Sequence, residues 1–428
     1  MDNIINMTVA LISNPAIIIG FVALIGHVAQ KSTISIAVQG TIKVILGFIM
    51  LQQGAGVIVN TLTPFSRIFE KAFNLNGIIA VDEPIAASVQ SVLGSQTTLI
   101  LLFGFLLNLV IARCSRFKYI FLTGHMMFLF AATMAILFSQ MNLSFWEIVF
   151  WGALCQGISQ VAFPAFAQPF VRKITGSDNV AFGFFGSSAI WFSSYIGKFF
   201  GDKNYSTEDI KVPQHFDFIK DMAILMSITM FIVFLVTGLF VDSEELNSII
   251  KKGLFEFALF NSLTLVVGIL ILLQGVRMFL AEIVPAFKGI SGWIVPNSIP
   301  ALDVPIFFAF APVAVTFGFI SALAGSLLVT FMGGILPVVV LPSVIGLFFM
   351  GGAAGVFGNA SGGVRGAIAS GFILGFIFNL VIALAYPLID LSQYGIAGLW
   401  FACTDTIIVV ALIKLVTVIG GALLDLFI

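Results

Sequence analysis

The chain has 428 residues, of which 60% are hydrophobic and 9% charged, with a formal net charge of −1 and a mean hydropathy of +1.13. A surface that faces water carries roughly 25% charged residues, so this composition excludes a soluble fold and requires lipid as the solvent. Near-neutral charge gives no basis for binding nucleic acid, and the length holds on the order of ten to twelve membrane helices of about 20 residues, with no room for a soluble catalytic domain.

Apolar spans read in chain order at 8–29, 41–62, 96–114, 119–140, 144–170, 222–241, 255–281, 304–349, 366–389 and 395–426. They are long continuous runs, unlike the ~10-residue alternating strands of an outer-membrane barrel. The first span follows Asp2 with no basic residue ahead of it and reads as a retained helix rather than a cleavable leader. Residues 304–364 contain no charged side chain, which fits two crossings joined by a tight Gly-rich turn. The longest polar stretch, Gly201 to Asp221, reads as a loop. Cys114, Cys155 and Cys403 are isolated, with no Cys/His spacing that suits a metal, so they read as small packed residues, and no cofactor is expected.

Three segments are apolar but broken. Residues 77–95 contain Ala80-Val81-Asp82-Glu83-Pro84, residues 291–305 contain Ala301-Leu302-Asp303-Val304-Pro305, and residues 180–200 are rich in Gly, Ser and Phe. Interrupted backbone is tolerated at membrane depth only where it is buried in protein or lines a cavity. All three therefore read as re-entrant hairpins.

Laid over itself with a shift of 221 residues, the chain matches in one ungapped register. Gly47 falls on Gly268, Gln53 on Gln274, Gly54 on Gly275, Pro64 on Pro285, Ala80 on Ala301, Asp82 on Asp303 and Pro84 on Pro305. Apolar sequence matches Leu and Gly by chance, but rarely a Gln-Gly pair, an Asp and two prolines together. The expected fold is an all-α polytopic membrane protein of about 11 transmembrane helices plus re-entrant hairpins, in two inverted repeats, 1–221 and 222–428. Duplicated halves with interrupted helices in matching positions are a feature of secondary-transporter-like folds. Paired acids in such hairpins favour a shared binding site over two interfacial helix caps.

With those residues in hand, the chain resembles the ascorbate-type (SgaT/UlaA) IIC membrane subunits of the bacterial phosphoenolpyruvate-dependent phosphotransferase system. The segments that carry the resemblance are Gly40-Thr-Ile-Lys43 leading to Gly47-Phe-Ile-Met-Leu-Gln-Gln-Gly54, then Leu122-Thr-Gly-His-Met-Met-Phe128. The most specific are Gln274-Gly-Val-Arg-Met-Phe-Leu-Ala-Glu282 and Ala286-Phe-Lys-Gly-Ile-Ser291, followed by Phe310-Ala-Pro312. The resemblance implies a homodimer in the bacterial cytoplasmic membrane. Each protomer would have a scaffold (V-motif) domain and a core domain that carries a sugar or sugar-acid by an elevator-type displacement. A separate IIB protein, itself charged by IIA, would phosphorylate the inward-facing solute, so the chain would need no phosphorylation site of its own.

Carried over residue by residue, the resemblance implies substrate-binding roles for His125 and Asp303, with the segment around Asp82 adding contacts. Three places depart from the ascorbate pattern. Leu129 stands where ascorbate members have Gln, Phe184-Phe185 where they have a His-Gln tract, and Glu83-Pro84 where they have Thr-Tyr.

The candidate substrate-binding residues are therefore Asp82, Glu83, His125 and Asp303. Asp303 either meets a substrate hydroxyl or pairs structurally with Lys43, Arg277 or a hairpin backbone. Glu83 beside Asp82 is either a solvated hairpin end or one of two repelling carboxylates, whose repulsion favours protonation of one of them and a role as proton acceptor for a substrate hydroxyl. His125 is either a ligand or a hydrogen-bonded core residue. Trp191 is a candidate for stacking on a sugar ring; Lys43, Gln53, Arg277 and Glu282 are expected to stabilise helix packing or the scaffold–core boundary. The competing function is a proton-coupled secondary transporter in which Asp82, Glu83 or Asp303 is the protonated site. A passive channel would need a continuous polar lining, which the sequence lacks.

Overall fold

The computed structural model describes residues 15–72, 77–210, 222–293, 295–396 and 398–427. The expected start of the first span and residues 211–221 of the polar loop, with His215, lie outside them. Among the described residues six helices are long and apolar enough to cross a membrane, and shorter apolar helices such as Gly124–Ser139 add to them. The chain is an all-α polytopic membrane protein in this sense, with short strands where the sequence is broken.

Two helices exceed any single crossing. Helix α1 (Pro15–Ala29) leads into α2 (Ile34–Ala72), of 39 residues. The 40-residue counterpart of α2 spans Leu254–Trp293. Each is about 60 Å long, twice the hydrocarbon thickness, and each carries one internal proline, Pro64 or Pro285. They pack directly on each other through glycines that the 221-residue shift superposes. A methyl group on Gly47 would lie 3.0 Å from the Gly275 carbonyl oxygen, and one on Gly268 would lie 3.1 Å from that of Gly54. The two contacts are reciprocal, as in a two-fold crossing. Lys43 adds an ion pair to Glu282 across the same pair of helices, 2.9 Å long. Lys43 is thus a helix-packing residue and not the partner of Asp303.

The broken segments are extended before they are helical. Strand β1 (Ile78–Ala80) runs into α3 (Asp82–Ser88) and α4 (Gln90–Cys114). Strand β2 (Tyr119–Phe121) precedes α5 (Gly124–Ser139) and α6 (Phe145–Thr175). Strand β3 (Ala181–Phe182) precedes α7 (Ser187–Phe200). Helices α8 (Met222–Gly238), α9 (Ser243–Ile249) and α10 (Leu254–Trp293) open the second half, and the pattern then recurs. Strand β4 (Ile299–Leu302) leads to α11 (Pro305–Phe308) and α12 (Pro312–Phe331). Strand β5 (Val340–Leu341) leads to α13 (Val344–Ala385), and β6 (Leu399–Trp400) to α14 (Thr404–Phe427).

The strands form two parallel three-stranded sheets, in the orders β5-β1-β6 and β2-β4-β3. Each is centred on a strand of one half and flanked by two of the other. Ile78 pairs with Val340, and Ile299 with Tyr119; the 221-residue shift maps one pair onto the other. Backbone polar groups in a membrane protein need internal partners, and side chains complete what the short ladders leave open. The Asn108 amide donates to the Tyr119 carbonyl and accepts from the Phe121 N–H; the Thr330 hydroxyl donates to the Val340 carbonyl.

The span expected at 304–349 divides differently. One crossing is α12, and the next begins only at Val344. Between them Val338, Val339 and Val340 are bracketed by Pro337 and Pro342. β-Branched residues favour the pleated backbone and proline blocks a helix, so this stretch extends and pairs with β1. Helix α13 is itself two legs. Gly362 and Gly363 leave helical geometry, and a methyl on Gly358 would lie 2.5 Å from Ser370 Oγ. Twelve residues of straight helix would separate those positions by about 18 Å, so the chain folds back at the Gly-Gly turn.

Candidate substrate-binding site

A cavity of about 330 Å3 lies where the strand–helix junctions of both halves meet the long helix α2. Asp82 enters it from the end of β1, Asp303 from the end of β4 and His125 from the first turn of α5. Three pairs of wall residues are superposed by the 221-residue shift: Asp82 with Asp303, His125 with Gly346 and Leu129 with Met350. The cavity is symmetric in backbone and asymmetric in chemistry.

The two acids differ in what surrounds them. Asp82 is buried, and its carboxylate accepts the Ala402 N–H at 3.1 Å and the Cys403 S–H at 3.2 Å. Those donors stand at the β6–α14 junction, brought beside Asp82 by the β1–β6 pairing. Asp303 accepts the N–H of its neighbour Val304 at 2.7 Å, and its other oxygen lies 3.6 Å from His125 Nε2. That distance suits an ion pair with a protonated imidazole and is too long for a hydrogen bond. The β2–β4 pairing makes the juxtaposition, because it sets the N-terminus of α5 beside the end of β4.

Glu83 is the second residue of α3; its side chain lies outside the described residues, as does that of Pro84. Of the other departures, Leu129 and Phe184 face the cavity. Phe185 does not: it is fully buried and stacks on Phe121 and Phe130, with ring centroids 5.0 and 4.5 Å apart. Trp191, expected as a stacking platform, is outside the wall. Its ring stacks on Phe166 at 5.4 Å, on the side of α7 that faces α6.

Three polar wall residues were missed from sequence: Gln52, Ser343 and Cys403. Gln52 belongs to the Gln-Gln-Gly motif of α2, one turn after Phe48, which also lines the cavity. A fourth omission is structural. Asp405 is fully buried behind the site and accepts the backbone N–H groups of Ser187 at 2.7 Å and Ser188 at 2.9 Å, plus the Ser188 hydroxyl. It caps the N-terminus of α7 from the other half of the chain, where first-turn N–H groups have no helical partner. Asp405→Ala removes the acceptor of all three donors, including two backbone N–H groups, and should cost about 2–4 kcal/mol, read as a lower thermal unfolding midpoint in detergent. Asp405→Asn, which still accepts one bond, should fall between.

No group of His, Cys, Asp or Glu side chains among the described residues is arranged to hold a metal ion. The cavity combines two carboxylates, an imidazole, an amide and a hydroxyl with apolar walls, which suits a small hydroxylated solute.

The family model EIIC-GAT, described as a PTS system sugar-specific permease component, matches residues 10–405. An ascorbate-specific PTS system EIIC component of Mycoplasma pneumoniae is 29% identical over an alignment covering 87% of this chain and 64% of the relative. The chain thus spans a little under two thirds of that relative's length. The matched region takes in both sheets, the cavity and the long helices, and the chain belongs to the family of PTS sugar-specific permease components, multi-pass proteins of the bacterial cytoplasmic membrane.

Proposed function

We propose that the chain is the IIC translocating subunit of a phosphoenolpyruvate-dependent phosphotransferase system. It carries a sugar or sugar-acid of ascorbate-like size and presents it to a separate IIB protein for phosphorylation. The observation that carries this reading is the cavity at which Asp82, Asp303 and His125 converge from both halves. The relative's name gives ascorbate as the reference solute; the apolar Leu129 and Phe184 in the wall favour a solute that makes fewer hydrogen bonds than ascorbate does.

In this reading residues 1–221 and 222–428 are inverted repeats. The reciprocal glycine contacts of α2 with α10 and the exchanged strand order of the two sheets support it. The long helices then act as the scaffold of a homodimer, and the sheets with the helices that follow them move as the core in an elevator displacement. When IIB transfers its phosphoryl group, the attacked solute hydroxyl loses its proton, and the His125–Asp303 pair stands at the cavity to take it.

Vesicles loaded with phosphoenolpyruvate, the general phosphotransferase proteins and the cognate IIA and IIB should accumulate phosphorylated solute. Accumulation of unmodified solute that collapses with a protonophore would instead establish the proton-coupled transporter and sink this proposal.

A further inference from the structure

The polar wall of the cavity is short of hydrogen-bond donors. Asp82 and Asp303 are acceptors when ionised, and the Cys403 S–H is directed at Asp82. The Ser343 oxygen already accepts the Gly346 N–H, leaving its single hydroxyl proton. His125 brings an imidazole N–H. A sugar hydroxyl, however, both donates and accepts. Held by carboxylates alone, its oxygen lone pairs would be desolvated without a donor, which is costly in a confined site.

The side chain with donors to spare is Gln52. It comes from α2 and reaches the cavity with Phe48, four residues earlier and therefore on the same face of the helix. Its primary amide carries two N–H donors and one acceptor. No hydrogen bond from it to any described residue is formed, and its side chain is exposed at the cavity. The rest of the polar wall rides on the strand–helix junctions; Gln52 is the polar contribution of the long helix.

We propose that Gln52 is a substrate-binding residue whose amide donates to a hydroxyl or carbonyl oxygen of the solute held by Asp303 and His125. The inference rests on the carrier reading above and adds to it a ligand from the scaffold side of the site.

The test uses the full chain in lipid nanodiscs, with ascorbate, neutral pentoses and hexitols as the probes. Once wild type has selected its solute from that panel, Gln52→Leu, of similar volume without polar atoms, should bind it about tenfold more weakly. Gln52→Glu, which replaces the donors with a further acceptor, should lose at least as much. The unliganded melting temperature of both should match wild type, because the amide has no hydrogen-bond partner among the described residues to lose. A deoxy analogue lacking the contacted oxygen should bind wild type and Gln52→Leu equally. Wild-type affinity in Gln52→Leu, or weakened binding that every deoxy analogue shares, would overturn the assignment while leaving the carrier intact. A wild-type chain that binds no member of the panel would overturn the carrier reading and this assignment together.

Discussion

Asp303→Asn is expected to weaken solute binding by about 100-fold, close to 2.7 kcal/mol, while the protein still folds and assembles. The substitution keeps the side-chain oxygen that accepts the Val304 N–H, so the turn after β4 is preserved. It removes the oxygen that faces His125 at 3.6 Å and puts an NH2 group there. A solute hydroxyl that donated to a carboxylate then meets a donor, and hydrogen bonds to charged groups are worth about 1.5–3 kcal/mol before that mismatch is counted. Equilibrium binding to the purified variant measures the loss, and its melting temperature checks the fold. Affinity within threefold of wild type would remove Asp303 from the site. Asp82→Asn provides the contrast. Its carboxylate is engaged by the Ala402 N–H and the Cys403 S–H, so part of its cost should appear as lost stability.

The second large effect is structural. Gly363→Val should prevent assembly of the second half, seen as aggregation or loss of the monodisperse peak in detergent. Gly363 has φ 60° and ψ −151°, a region essentially confined to glycine, where another residue costs about 1–3 kcal/mol. Space is also lacking. A methyl on Gly363 would lie 2.2 Å from the Tyr205 carbonyl oxygen and 2.4 Å from that of Asp202. Loop 202–209 is held against this turn by the Val364 N–H donating to Tyr205 O and by Asn359, which binds both Thr207 and Ser206. The same loop sends Glu208 to the first-turn N–H of Ala314, 3.1 Å away. Displacing it therefore disturbs α12 as well as α13. A well-folded Gly363→Val protein would mean that the turn accepts another backbone geometry.

Much of this was legible residue by residue. Prolines and glycines marked the segments that leave the helix, because in a helix interior proline lacks a donor and clashes with the preceding turn, although Pro64 and Pro285 stay within long helices. The paired acids stood out because charge is rare in apolar sequence and the two are 221 positions apart in matching contexts. What those broken segments become was not legible. Extended strands of two to four residues carry almost no periodic signal, and their partners lie far off in the chain, as Ile78 and Val340 do. The expected second crossing of 304–349 was misplaced for the same reason. A valine run between two prolines reads as apolar whether it spans the membrane or pairs at the edge of a sheet.

The sequence by itself determined the solvent, the segments where long helices break and the acids they carry, since each follows from the composition of a local stretch. Only the tertiary structure decided which acid is engaged and which is available. Asp82 and Asp303 are chemically identical and stand in equivalent backbone. The first meets Ala402 and Cys403 from the far end of the chain, and the second meets His125. Gln52 likewise became a candidate ligand only when packing set its helix against the junctions of both halves. A side chain's partners are supplied by whatever the fold brings beside it, and here those partners come from the opposite half of the molecule.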